Sequence, residues 1–258
     1  MEPVYRSVVG LCVATFRAQG WDVRVQGTEH VPTAGAGVIA SNHISYLDFV
    51  FAGYGVLQAP GRRLVRWAAK KETFDHPVSG PLMRAMRHIP VDRGGRASEA
   101  IEHATGLLRD GELVGMFPES TISRSFVPLP GKTGTVRMAQ AAGAPIVPCA
   151  LWGSQRLFTK GRPRRLGQRD LVITVRFGEP LEVAPGDDPE TATRELMSRI
   201  GAMVDTAQRT HPQRPTEDED PWWVPAHLGG SAPTPEEAEA LARTEAERRR
   251  ARRAAGEG

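Results

Sequence analysis

Ala36-Gly37-Val38-Ile39-Ala40-Ser41-Asn42-His43-Ile44-Ser45-Tyr46-Leu47-Asp48 runs from an apolar stretch through a polar turn into an amphipathic segment. Residues 36–40 have the composition of a short buried strand, and residues 46–57 read as a helix, so the stretch predicts strand, turn and helix. Ser45 is placed to cap that helix, with Asp48 in its first turn. The same alternation recurs along the chain: strands are predicted over 64–68, 88–91, 113–117, 145–151 and 171–177, and helices over 78–87, 98–109 and 133–142. The clearest helix is predicted over 189–209, where Thr193, Leu196, Met197, Ile200, Met203, Val204 and Ala207 keep the i, i+3, i+4, i+7 spacing. Strands alternating with helices predict a single α/β domain over residues 22–211, with a largely parallel or mixed sheet flanked by helices.

The turn also carries chemistry. A histidine titrates near neutral pH and can take a proton from an alcohol, while a carboxylate on its other nitrogen fixes the tautomer and stabilises the imidazolium. In one regular helix a five-residue offset would set His43 and Asp48 about 140° apart, so they converge only if the turn lies between them. The spacing alone is common by chance. The rival reading makes Asp48 a support for the helix N-terminus and His43 a satisfied loop residue.

Composition bounds the partners. The 258 residues are 40% hydrophobic and 24% charged, with a formal net charge of +3, which suits an anionic partner such as phospholipid or coenzyme A. Aromatic residues, at 6%, are not interleaved with basic ones, which argues against nucleic acid. Cys12 and Cys149 form no framework and have no Cys-x-x-Cys partner, so a reducing, cytoplasmic setting is expected. No histidine and carboxylate cluster has metal-ligand spacing; His30, His76, His88, His103, His211 and His227 read as structural or surface residues, and neither a metal nor a resident cofactor is expected.

The flanks differ from the domain. Residues 1–21 read as an amphipathic helix: Val4, Tyr5, Val8, Leu11, Cys12 and Phe16 share one stripe, with Arg6 and Arg17 beside it. The apolar run of residues 8–16 is too short to span a bilayer, leaving two readings, attachment at a headgroup boundary or packing on the domain's own core. Residues 212–258 comprise a proline-rich segment containing Trp222-Trp223, then a charged helix or tail. Its cap signal Thr234-Pro235-Glu236-Glu237 leads towards five arginines between Arg248 and Arg253. The tryptophans are expected to dock on the domain, and the tail to be solvated.

Three further blocks follow the first turn. His88-Ile89-Pro90-Val91-Asp92-Arg93 is a short strand ending in an acid and an arginine before Gly94-Gly95, where Arg93 suits a phosphate clamp. Phe117-Pro118-Glu119-Ser120-Thr121 sets a carboxylate and two hydroxyls after a strand, where open α/β sheets gather their sites. Gly131-Lys132-Thr133-Gly134 opens a helix, with Lys132 as a second phosphate contact, and Pro145-Ile146-Val147-Pro148 follows. Each block alone also fits a bland reading: a surface ion pair of Asp92 and Arg93, a polar turn, and a surface lysine at a helix start.

In this order, His43-x-x-x-x-Asp48, Val91-Asp92-Arg93, Phe117-Pro118-Glu119 and Pro145-Ile146-Val147-Pro148 resemble the four blocks of the glycerolipid acyltransferases, whose best-known members are 1-acylglycerol-3-phosphate acyltransferases. The resemblance covers about residues 30–155. It implies that His43 and Asp48 are a catalytic dyad, that Arg93 and the turn of Glu119, Ser120 and Thr121 grip the acceptor's glycerol phosphate, and that the last block shapes the acyl-donor side. The family's third block usually reads Phe-Pro-Glu-Gly-Thr-Arg, and this chain has Ser120 for the glycine and Ile122 for the arginine. A bidentate phosphate contact is thereby lost, which leaves Arg93, Lys132 and Arg124 to carry the phosphate or points to an acceptor other than simple lysophosphatidate.

The expected reaction is direct transfer from acyl-CoA or acyl carrier protein to a lysophospholipid hydroxyl, most simply that of 1-acylglycerol 3-phosphate. No Gly-x-Ser-x-Gly elbow points to an acyl-enzyme. Arg62, Arg63, Lys70 and Lys71 are candidates for coenzyme A phosphates, and an anionic membrane on the inner face of the cell is the expected surface. The same dyad would also serve the hydroxyl of another lysolipid or of a glycolipid, or a thioester hydrolase, and a non-catalytic module that binds anionic membranes is the rival from outside enzymology.

Overall fold

The computed structural model describes residues 2–92 and 97–254. Seven strands form one sheet: β1 (Asp22–Gln26), β2 (Gly37–Ser41), β3 (Val65–Lys70), β4 (Ile89–Val91), β5 (Leu113–Met116), β6 (Ile146–Trp152) and β7 (Val172–Phe177), in the order β1-β7-β6-β2-β5-β3-β4. β6, β2, β5, β3 and β4 are parallel; β7 runs antiparallel to β6, and β1 parallel to β7. The sheet is therefore mixed, as the alternation predicts.

Every residue of β2 and of β6 is buried, because helices cover both faces of the sheet at its centre. On one face α5 (Ala97–Arg109), α6 (Gly134–Ala142) and α7 (Pro189–Arg209) pack through Leu108, Met138, Leu196 and Ile200. On the other, α1 (Pro3–Gln19) and α2 (Asp48–Gln58) pack through Phe16, Phe51 and Val56. Two elements escape the sequence patterns. β1 is an edge strand whose alternate residues are exposed, so only Val23 and Val25 carry an apolar signal, and α3 (Lys71–Asp75) is too short to show a period. α2 begins at Asp48 rather than Tyr46, and Ser45 does not cap it.

The stripe on α1 faces the domain. The Tyr5 hydroxyl donates to the Val65 carbonyl at 2.8 Å, and the Phe16 ring stacks on Phe51 at 5.1 Å. Val4 and Leu11, expected on that stripe, point outward instead, and beside α1 the short helix α4 (Ser79–Ala85) exposes Leu82, with Val78 exposed just before it. Among the described residues no helix is long and apolar enough to cross a membrane.

Residues 212–234 fold back across the domain. Trp222 and Trp223 are buried with Ile44, Phe126, Trp152, Ala207 and Ala232, while the Arg156 guanidinium sits 4.3 Å from the centre of a Trp223 ring. The chain then forms α8 (Pro235–Ala254), opened by a reciprocal cap. The Glu237 N–H donates to Thr234 Oγ1 at 3.2 Å, and the Thr234 N–H to Glu237 Oε2 at 2.9 Å.

Candidate active site

The segments that follow three neighbouring parallel strands, β6, β2 and β5, meet at the sheet's carboxyl edge, where open α/β sheets place their sites. The chain leaving β2 is pinned at once. The Asn42 side chain donates to the Leu151 carbonyl at 3.0 Å and accepts from the Leu151 N–H at 2.7 Å, extending the ladder to β6 through an amide side chain. The next residue, His43, then enters the turn.

Asp48 organises that turn. Its fully buried carboxylate takes the Ile44 N–H at 2.7 Å, the Ser45 N–H at 2.8 Å and His43 Nδ1 at 2.9 Å on Oδ2, and the Ser154 hydroxyl at 2.6 Å on Oδ1. Four donors satisfy the buried charge, three of them from the turn itself. Because Nδ1 is engaged by Asp48, Nε2 is the nitrogen left for a substrate proton. Ser45 stitches the turn instead of capping α2: its hydroxyl accepts from the Leu47 N–H at 3.1 Å and donates to the Phe158 carbonyl at 2.8 Å.

The segment after β5 grips His43 by its main chain. Glu119 Oε1 accepts the His43 N–H at 2.7 Å, and the Ser123 N–H donates to the His43 carbonyl at 2.8 Å. Glu119 Oε2 accepts the Leu129 N–H at 2.9 Å, so both oxygens are engaged by main-chain donors. The carboxyl expected to grip the acceptor is therefore turned into the protein. Burial pushes it up to about 8, against the two backbone N–H groups that favour its charged form. The His43 ring stacks on Phe117 with centroids 4.2 Å apart, and Phe117 stacks on Trp67 at 5.2 Å. Gly115 makes room for that stack, since a Cβ there would lie 2.3 Å from the Trp67 ring.

Ser120 has φ +59°, and Phe126, in the same loop, also has φ +59°. The left-handed region explains why the family favours glycine at position 120, and two non-glycine residues there mark a loop held against local backbone preference. Thr121 is half-buried and Ile122 is buried, so the side chain standing where the family has an arginine packs inward.

The other expected residues are more scattered. Arg93 lies outside the described residues. The Lys132 N–H donates to the Pro118 carbonyl at 3.0 Å, but its exposed side chain lines a groove of about 910 Å³ along α7. Arg62 and Arg63 precede β3, at the sheet's amino edge, opposite the dyad. Arg63 is taken up by the carbonyls of Pro32, Gly35 and Gly111, which removes it as a contact for coenzyme A. Lys70 and Lys71 lie at the carboxyl end of β3, and Lys71 pairs with Asp75 at 2.7 Å. The sequence reading missed Asn42, Ser123, Ser154 and Thr159, whose hydroxyl donates to the Ile44 carbonyl at 2.6 Å. Only the Asn42 signal, a polar amide ending a buried strand, was within reach.

A model of the acyltransferase family matches residues 22–152. The 1-acyl-sn-glycerol-3-phosphate acyltransferase of Bacillus subtilis (strain 168) is 34% identical over 186 residues, covering 71% of this chain and 83% of that protein. The enzyme of the same name from Limnanthes douglasii is 34% identical over 165 residues, and the match spans 55% of its length and 63% of this chain. Among solved structures, the 1-acyl-sn-glycerophosphate (LPA) acyltransferase PlsC from Thermotoga maritima superposes with a TM-score of 0.63 at 20% identity, over 81% of each chain.

Proposed function

This chain belongs to the acyltransferase family, and we propose that it moves a fatty acyl group from acyl-CoA, or acyl carrier protein, to the free hydroxyl of 1-acylglycerol 3-phosphate, giving phosphatidate. The observation that carries the reading is the His43 Nδ1 to Asp48 Oδ2 contact of 2.9 Å, in a turn whose main chain is held by a hydrogen bond at every residue from His43 to Asp48. His43 Nε2 takes the hydroxyl proton as the acceptor oxygen bonds to the thioester carbon, and Asp48 stabilises the imidazolium. As the tetrahedral intermediate collapses, the carbon–sulfur bond breaks and the imidazolium returns the proton to the departing thiolate. Peripheral attachment to an anionic membrane accompanies this reading, supported by the outward Val4, Leu11, Val78 and Leu82 and by the exposed Arg162, Arg164 and Arg165.

The test is thiol release from a long-chain acyl-CoA with lysophosphatidate as acceptor. His43→Ala should lower kcat by roughly a thousandfold, within the range general base catalysis supplies. Thiol release that is as fast without the acceptor would make the protein a hydrolase, and unchanged transfer by His43→Ala would remove the mechanism.

A further inference from the structure

Next to the loops that hold the catalytic turn lies a charge cluster that the reaction above does not use. Arg124 directly follows Ser123, which binds the His43 carbonyl, and Lys160 directly follows Thr159, which binds the Ile44 carbonyl. The two cations are thus carried by the two loops that clasp the catalytic turn. Between them sits Glu245, from the third turn of α8: one carboxylate oxygen is paired with Arg124 Nη2, the other lies 3.3 Å from Lys160 Nζ. Arg124 and Lys160 are largely covered, and the Arg124 Nε is buried with no hydrogen-bond partner among the described residues.

We propose that Arg124 and Lys160 form a binding site for a phosphate monoester, and that Glu245 occupies it as an internal stand-in when no ligand is bound. The proposal deepens the function above, on which it rests for the identity of that phosphate as the acceptor's. A carboxylate bridges the two cations with its two oxygens. A phosphate offers a third oxygen and a second negative charge, and so fills the Arg124 Nε that Glu245 leaves unmatched. The site also supplies the guanidinium that Ile122 removes from the third block.

The attachment of α8 fits a displaceable plug. From Glu239 to Arg248 every described side chain except Glu245 is exposed, and among the described side chains of the helix the only buried one is Ala238, two turns earlier. Lys160 and Arg124 hold the Glu245 carboxyl below its ordinary range although burial opposes them, which keeps it an anion able to compete with the ligand. A ligand that must displace Glu245 binds with an affinity reduced by the fraction of molecules in the open state.

The direct test is calorimetric titration of the full chain with inorganic phosphate. Glu245→Gln should bind phosphate roughly fivefold more tightly than wild type, the scale of releasing a partly exposed ion pair. Adding Arg124→Gln or Lys160→Gln to that variant should abolish the gain. Equal affinity in wild type and Glu245→Gln, or a gain that survives both second substitutions, overturns the site. A kinetic arm identifies the phosphate's source: the KM for lysophosphatidate should fall in Glu245→Gln, whereas a fall confined to acyl-CoA would give the site to the donor and overturn the acceptor assignment. Titration reads the site without turnover, so loss of all transfer activity would count against the proposed function alone.

Discussion

The turn at residues 41–48 and the C-terminal stretch from Trp222 to Glu245 approach the same site by different means. The turn is fixed by hydrogen bonds that end on main chain or on the buried Asp48 carboxylate, with Glu119 and Ser123 holding His43 and Thr159 holding Ile44. The C-terminal stretch is fixed by aromatic packing at Trp222 and Trp223 and by the ion pairs of Glu245. They meet at Ile44, whose main chain belongs to the first set and whose side chain belongs to the second. Main-chain donors cannot leave or be replaced by solvent without orphaning a buried group, whereas an ion pair near the surface exchanges for another anion at small cost. The turn is thus the invariant part of the site and the C-terminal stretch its adjustable wall.

Trp223 tests the wall most severely. It is almost fully buried, its Nε1 donates to Glu219 at 3.3 Å, and its carbonyl accepts from the Gln155 side chain at 3.2 Å. Trp223→Ala should cost about 3–5 kcal/mol in urea denaturation, as for other buried indoles. A loss below about 1 kcal/mol would mean that the segment lies on the domain without belonging to its core, and the contrast with the turn would sharpen to core against appendage.

Glu119 tests the turn. Its folded carboxyl titrates near 8, above the ordinary 4.5, so in that window the unfolded chain binds fewer protons than the folded one and stability falls as pH rises. Burial pushes His88 and His211 down to about 4 from 6.5, assisted by Arg66 and Arg156 respectively. There the unfolded chain binds more protons, and stability rises with pH up to about 6.5. Of these three groups only Glu119 acts above that point. Thermal melts of the wild type should therefore lose stability between pH 6.5 and 8, and those of Glu119→Gln should not. At pH 6.5 the variant should be less stable by about 1–3 kcal/mol, because an amide accepts only one of the two main-chain N–H groups. Identical pH slopes would show that Glu119 does not hold its proton in the fold.

Much of the architecture was legible because burial on both faces of a strand leaves a continuous apolar run, as at residues 37–41 and 146–152, and because α7 keeps its period over 21 residues. β1 was not, since half of an edge strand is polar. The dyad was legible because both partners lie in one turn. Ser154, Thr159, Lys160 and Glu245 were not: each is a single polar residue with no local pattern, brought to the turn by the parallel pairing of β6 with β2 or by the return of the chain after Trp223. The acidic turn of Glu119 was found, but its side-chain direction was not, because a carboxylate facing solvent and one facing two buried N–H groups have the same sequence.

Ser154 gives the smallest effect and separates two accounts of the turn. It follows β6, after Gly153 at φ +100°, and its hydroxyl is the one donor to Asp48 Oδ1 among the described residues, while Oδ2 keeps its three donors from the turn. If Oδ2 alone sets the His43 geometry, Ser154→Ala should leave the turn folded and remove one hydrogen bond to a charged group. Such a bond is worth about 1.5 kcal/mol, so kcat should fall roughly tenfold, with KM for both substrates unchanged. A kcat within twofold of wild type would make Ser154 a bystander. A loss as large as that of Asp48→Asn would mean instead that Asp48 must be held from β6 as well as from its own turn, and that the site depends on the register of two strands as much as on the eight residues that carry the dyad.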